Sequence, residues 1–123
     1  MDWTFTEDRP IWQQLTEQIT LRILKGTYLP GDKLPAVREL AAQAGVNPNT
    51  MQRALAQLEA DGLAVGGRPA GRTVTEDRSI IQSARETRAR AAVRACLELL
   101  AELGYSREDA LAFMNMKEEL HDE

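Results

Sequence analysis

Two helical periods, separated by one glycine and an Asn-Pro pair, constrain this chain more than any other feature. From Leu34 to Leu63 it reads LPAVRELAAQAGVNPNTMQRALAQLEADGL. Val37, Leu40, Ala41 and Ala44 recur at helical spacing up to Gly45, and Met51, Ala54, Leu55 and Leu58 form a second run. Helices are therefore expected over 36–44 and 48–61, meeting at a tight turn. Asn47 is suited to cap the second, because its side-chain oxygen can accept from first-turn N–H groups, and Pro48 follows where a missing N–H costs nothing. Asp61-Gly62 supplies the stop.

With the apolar run turned inward, the second helix presents Asn49, Thr50, Gln52, Arg53 and Ala56, and no acid precedes Glu59. Asn, Gln, Thr and Arg can pair with base edges or phosphate oxygens. A solvated helix of any protein also turns polar residues outward, so the face alone leaves both readings open. Leu63-Ala64-Val65 and Arg72-Thr73-Val74-Thr75 then read as the strands of a hairpin around the basic turn Gly66-Gly67-Arg68-Pro69-Ala70-Gly71. A hairpin over 63–75 directly after such a helix reads as a wing. Arg68 and Arg72 would flank its tip, within reach of phosphate or the minor groove, and Gly71 would let the backbone approach closely.

The blocks Pro10-Ile11-Trp12-Gln13-Gln14-Leu15, Gly26 to Pro35, Val37 to Ala41 and Gly45 to Thr50 resemble, in order, those of GntR-family bacterial transcriptional regulators. The wording VNPNT and the short tail are similar to the YtrA-like subfamily in particular. The resemblance implies a winged-helix repressor with a small helical dimerisation tail, often controlling an operon for an ATP-binding-cassette transporter. By position it makes Arg38 a DNA-contacting residue, joined by Asn47, Asn49, Thr50 and Arg53, with Arg68, Gly71 and Arg72 from the wing. Three departures stand out. Pro48 occupies a place where many relatives carry a DNA-contacting Arg, so readout shifts to its neighbours. Ala36 replaces the Ser that usually caps the preceding helix, and the segment Pro69 to Val74 lacks the first Gly and the aromatic of the usual wing.

The chain has 123 residues, 43% of them hydrophobic, enough for one small core with an appendage but not for a second full ligand-binding domain. Nine basic and ten acidic residues precede Ser79, and six basic and nine acidic follow, so the acid lies mainly in the tail. A pI near 5.1 argues against indiscriminate polyanion binding but is compatible with a few basic groups facing one DNA site. The single Cys96 excludes an intramolecular disulfide, and with His121 as the sole histidine no zinc site can be assembled. Cys96 lies in an apolar run and reads as a small buried hydrophobe rather than a redox sensor, and His121 as a solvated side chain. The same scarcity excludes a Ser/His/Asp set, and no Gly-rich phosphate loop or paired carboxylates appear, so no enzyme, cofactor or metal is expected. The acidic first residues lack an apolar signal region and no span is long enough for a membrane, which points to a cytoplasmic protein with no membrane partner.

A first helix is expected over 10–25, with Ile11, Trp12, Leu15, Ile19, Ile23 and Leu24 along one side. Trp12 can be pictured as a stacking platform, but one turn from Leu15 and Ile19 it is assigned to the core. Trp3 and Phe5 form an extended arm, and Lys33 either touches phosphate or solvates its loop. The winged helix-turn-helix domain then spans 1–78. Residues 79–123 form a tail of two helices, 79–103 and 107–121, the second opened by a Ser106 to Asp109 capping box. Its arginines 85, 88, 90 and 94 scatter around the helix, which favours solvation and ion pairing over a second DNA stripe.

The expected fold is mainly α with a small β-hairpin wing: a winged helix-turn-helix followed by a two-helix C-terminal dimerisation tail. Two amphipathic helices after a complete domain need a burial partner, and the same pair in a second subunit would supply it. Ile81, Ala84, Ala92, Ala95, Leu99, Leu103, Leu111, Phe113 and Met114 are the expected dimer residues. The expected partners are a palindromic operator in double-stranded DNA, a second copy of the chain and, where room exists at the interface, a small-molecule effector. The reading from another class is a winged-helix protein-interaction module that has lost DNA binding.

Overall fold

The computed structural model describes residues 2–67 and 71–116. Among these residues five helices and one hairpin follow in the order α1 (Ile11–Lys25), α2 (Val37–Ala44), α3 (Pro48–Ala60), β1 (Ala64–Val65), β2 (Thr73–Val74), α4 (Arg78–Glu102) and α5 (Arg107–Met114). The fold is the mainly helical winged helix-turn-helix that the sequence implies. Punctuation decides the ends of the central elements. Gly45 closes α2 at φ 71°, a left-handed conformation that costs glycine little, and two residues on Asn47 accepts from the Asn49 N–H at 2.7 Å to open α3. Ala36 starts α2 without any side-chain cap.

The core sits where α1, α2 and α3 meet. Leu15 and Ile19 from α1, Leu40 from α2 and Met51, Ala54, Leu55 and Leu58 from α3 are all fully enclosed. The Thr16 hydroxyl, back-bonded to the Trp12 carbonyl at 2.9 Å, also reaches the Ala54 carbonyl at 3.2 Å and so ties α1 to α3 inside the seam. The wing hairpin is antiparallel, with Ala64 opposite Val74 and Val65 opposite Thr73. Its outer strand gains a second partner. Lys33 bridges to Thr73, while Gly31 N–H donates to Val74 O at 3.0 Å, Val74 N–H to Asp32 O at 2.8 Å, and Leu34 N–H to Arg72 O at 2.9 Å. The stretch read from sequence as a loop thus works as an edge of the sheet.

The arm before α1 is bound by a polar stripe at helical spacing. Gln14 Nε2 donates to Thr6 O at 2.9 Å while its Oε1 accepts from Thr6 N–H at 2.8 Å, and Gln18 Nε2 donates to Thr4 O at 2.6 Å. One turn further, the buried Arg22 guanidinium lies 3.6 Å from the centroid of the Trp3 ring and donates to Gln18 O and Asp2 O. Burial holds its pKa below the ordinary arginine value. Trp3 and Phe5 pack against the core as partly buried side chains.

The chain divides into two compact units, 1–84 and 85–123, so the division lies six residues beyond the expected end of the winged domain at 78. The displacement has a cause in packing. Ile80, Ile81 and Ala84 on the first turns of α4 lie against the core of the first unit, and Ile81 is only 6% exposed. Ile81 is therefore a core residue, which corrects its assignment to a dimer surface. In the second unit the Ser106–Asp109 capping box is formed in both directions. Tyr105 and Phe113 meet edge to face at 5.1 Å, and Ala110 is buried. The helix ends at Met114, with Asn115 as its C-cap, rather than running to 121, and His121 lies outside the described residues. Cys96 is half-buried. Among the described residues no helix is long and apolar enough to cross a membrane.

Candidate nucleic-acid interface

The α3 helix arises because its four buried residues share one side, which leaves Asn49, Gln52, Arg53 and Ala56 exposed on the other. Thr50 is half-buried at the edge of that face. Asn47 is committed through its side-chain oxygen to the cap, so its amide N–H₂ is what remains for a ligand. Arg38 is exposed on α2. The helix offers amide and guanidinium donors together with amide acceptors, the groups that read base edges and hold phosphates.

Arg53 does not extend freely from this face. Its guanidinium carbon lies 4.3 Å from the centroid of the Trp12 ring, a cation–π contact between α3 and α1. Trp12 is half-buried and stands apart from the hydrophobic cluster, so the expectation that it belongs to the core is corrected. Its spacing from Leu15 and Ile19 put it near the core stripe. Position at the first turn of α1 leaves its ring at the rim, where Arg53 covers it.

At the wing, Arg72 Nε donates to Glu59 Oε1 at 2.6 Å, and both side chains are mostly sheltered. Arg72 is thus held at the base of the wing by the recognition helix rather than pointing outward, and Glu59, in sequence merely the first acid on α3, is the group that holds it. Gly71 adopts φ 95°, and a Cβ there would stand 3.4 Å from Lys33 Cε, so the wing backbone passes close to the edge segment. Arg68, with Pro69 and Ala70, lies outside the described residues.

Of the residues assigned to the tail surface, Ala92, Ala95, Leu99, Leu103, Leu111, Phe113 and Met114 are exposed, the leucines at 64%, 73% and 56% respectively, while Ala84 packs on the first unit.

Comparison with known proteins agrees with this arrangement. The family model "Bacterial regulatory proteins, gntR family" matches residues 12–73, from Trp12 through the wing. The uncharacterised HTH-type transcriptional regulator YhcF of Bacillus subtilis is 36% identical over 111 residues, which cover 90% of this chain and 92% of that protein. The HTH-type transcriptional repressor YtrA of Bacillus subtilis is 43% identical over 68 residues, 55% of this chain and 52% of its own length. Among solved structures, a GntR family transcriptional regulator from Listeria monocytogenes superposes with a TM-score of 0.82 at 35% identity, over 89% of this chain and 96% of that one. The chain belongs to the GntR family of bacterial regulatory proteins, within its YtrA-like subfamily, and is a DNA-binding transcriptional regulator.

Proposed function

We propose that the protein is a homodimeric repressor that binds a palindromic operator in double-stranded DNA at the promoter of its own operon. The observation that carries this reading is the exposed face of α3. It is free of acid up to Glu59, and Glu59 is itself neutralised by Arg72. In this reading Asn49, Thr50 and Gln52 meet base edges or adjacent phosphates, Asn47 contributes its amide, Arg38 and Arg53 anchor the phosphate backbone, and the wing, with Arg68 and Gly71, lies along the neighbouring minor groove, while Arg72 acts by neutralising Glu59. The relative named a transcriptional repressor supports repression as the sense of control. Subfamily membership adds an ATP-binding-cassette transporter as the expected product of the regulated genes, and the cytoplasm as the place of action.

The second copy is supported by the second unit. Leu99, Leu103 and Leu111 stay more than half exposed in one chain, a surface that burial in a dimer would remove from water. Two recognition helices about one turn of DNA apart, ~34 Å, would read both halves of a palindrome. The same unit contains a cleft of about 390 Å³ lined by Ala89, Arg90, Val93, Arg94, Leu97 and Arg107, which gives room for a small-molecule effector. Such a ligand would change operator affinity only by preferring one of two dimer arrangements.

Titration of the protein against a duplex carrying its own promoter, with sedimentation of the free protein, tests the reading. A dimer and saturable, sequence-dependent binding are expected, with Arg38→Ala weaker at matched salt while its melting temperature is unchanged. Equal binding by Arg38→Ala would remove that residue from the interface. A monomer that binds no duplex, but captures one protein stoichiometrically, would replace the repressor with an interaction module.

A further inference from the structure

Trp12 spends its ring in an unusual place for so large an apolar side chain. It is half-buried, outside the core cluster, and its face is occupied by Arg53 at 4.3 Å. We infer that Trp12 is a positioning residue for DNA recognition: it holds the Arg53 guanidinium flat against its ring, so that DNA meets a fixed phosphate-binding edge rather than a freely rotating cation. The inference rests on α3 being the helix that reads DNA.

Three observations carry it. Arg53 lies four residues after Asn49, on the side of α3 opposite Met51, Ala54, Leu55 and Leu58, so its charge belongs to the outward face. Among the described residues no carboxylate pairs with it, in contrast to Arg72 and Arg9, so the ring is its holding contact. The two backbones that bear the pair are locked together directly beneath it. The buried Thr16 hydroxyl touches the carbonyl of Trp12 itself and that of Ala54, the residue after Arg53.

Stacking suits this purpose because it uses only the face of the guanidinium. The N–H groups radiate in the plane, so a stacked arginine keeps its edge for two parallel bonds to a phosphate, and the rotamer freedom lost on binding is smaller. Lysine has no such plane and would not be held in the same way. Arg53 is the one cation that α3 carries between Pro48 and Ala60, so where its guanidinium is held decides the charge this helix can offer.

A double-mutant cycle on the full chain tests the inference, using a duplex that the wild type enriches from a random-sequence pool. Affinities are measured over a salt series for the wild type, Trp12→Leu, Arg53→Ala and the double variant. Trp12→Leu and Arg53→Ala should each weaken binding about 3- to 10-fold, and the double variant should be no weaker than Arg53→Ala alone. Both single variants should also lower the slope of log affinity against log salt by roughly 1, the signature of one phosphate contact. Trp12→Tyr, which keeps a π face, should restore most of the affinity. Arg53→Lys, a change at an exposed position whose melting temperature is expected to match the wild type, should weaken binding although the charge is retained.

Additive losses, a wild-type salt slope in Trp12→Leu, or wild-type affinity in Arg53→Lys would each overturn the inference while leaving DNA binding by α3 intact. Enrichment of no duplex by the wild type would overturn the DNA reading and this inference together.

Discussion

Arg72, the residue before the outer wing strand, donates to Glu59 on the recognition helix at 2.6 Å, so the wing and the helix that precedes it are joined by charge as well as by chain. The pair places a carboxylate on α3 but cancels it locally, which matters because α3 is the element proposed to face a polyanion. Gly66 completes the arrangement. A Cβ at that position would come within 2.3 Å of Glu59 Oε1, so a side chain there would push the Glu59 carboxylate out of its present place beside Arg72.

This geometry predicts a non-additive mutant series at the wing. Arg72→Gln should change stability by roughly 0–1 kcal/mol, as expected of a partly exposed pair, but should weaken DNA binding because Glu59 is left uncompensated. Glu59→Gln combined with Arg72→Gln should recover most of that loss. Mobility-shift titrations at fixed salt decide it: a double variant as weak as Arg72→Gln would mean that Arg72 contacts DNA on its own account.

Helix α2 carries a defect that can be repaired. Ala36 already has the extended conformation of a cap, φ −62° and ψ 156°, yet offers no side-chain acceptor, while Glu39 stands three residues later. Ala36→Ser should complete a capping box with Glu39 and stabilise the domain by about 1 kcal/mol. Urea denaturation checks this. An unchanged midpoint would show that water already satisfies the first turn.

The start of α4 should respond to acid. Asp77 accepts from the Ser79 hydroxyl at 2.6 Å and the Ser79 N–H at 3.0 Å, and these bonds hold its carboxyl below the usual carboxylate range. Because the folded pKa is depressed, the stabilisation is complete above the unfolded value of about 3.9 and is lost as pH falls through the folded one. Side-chain carboxyl titration by NMR should give a pKa for Asp77 below that of an unstructured peptide, and amides at the first turn of α4 should lose protection only under more acidic conditions. A titration at or above the peptide value would refute the contact.

Local chemistry made much of this fold legible in one dimension. The turn between α2 and α3, the cap at Asn47, the missing cap at Ala36 and the capping box at Ser106 all depend on residues within four positions of each other, and each stands where the sequence implies. The outward residues of α3 follow from the same short-range logic, since burying Met51, Ala54, Leu55 and Leu58 leaves them no other side.

Tertiary structure decided whatever depends on neighbours distant in the chain. The edge formed by Gly31 to Leu34 shows no strand periodicity, and only the approach of the outer wing strand gives its backbone groups their partners. Ile81 stands in the first turn of the long helix and so reads in sequence as a tail residue, but the first turns of α4 find the core of the first unit within reach. The arginines show the division most clearly. Residue type established that Arg53 and Arg72 carry permanent charge, while packing determined that one rests on the Trp12 ring and the other on Glu59. A charge is a property of its residue, whereas its direction belongs to the surfaces that enclose it.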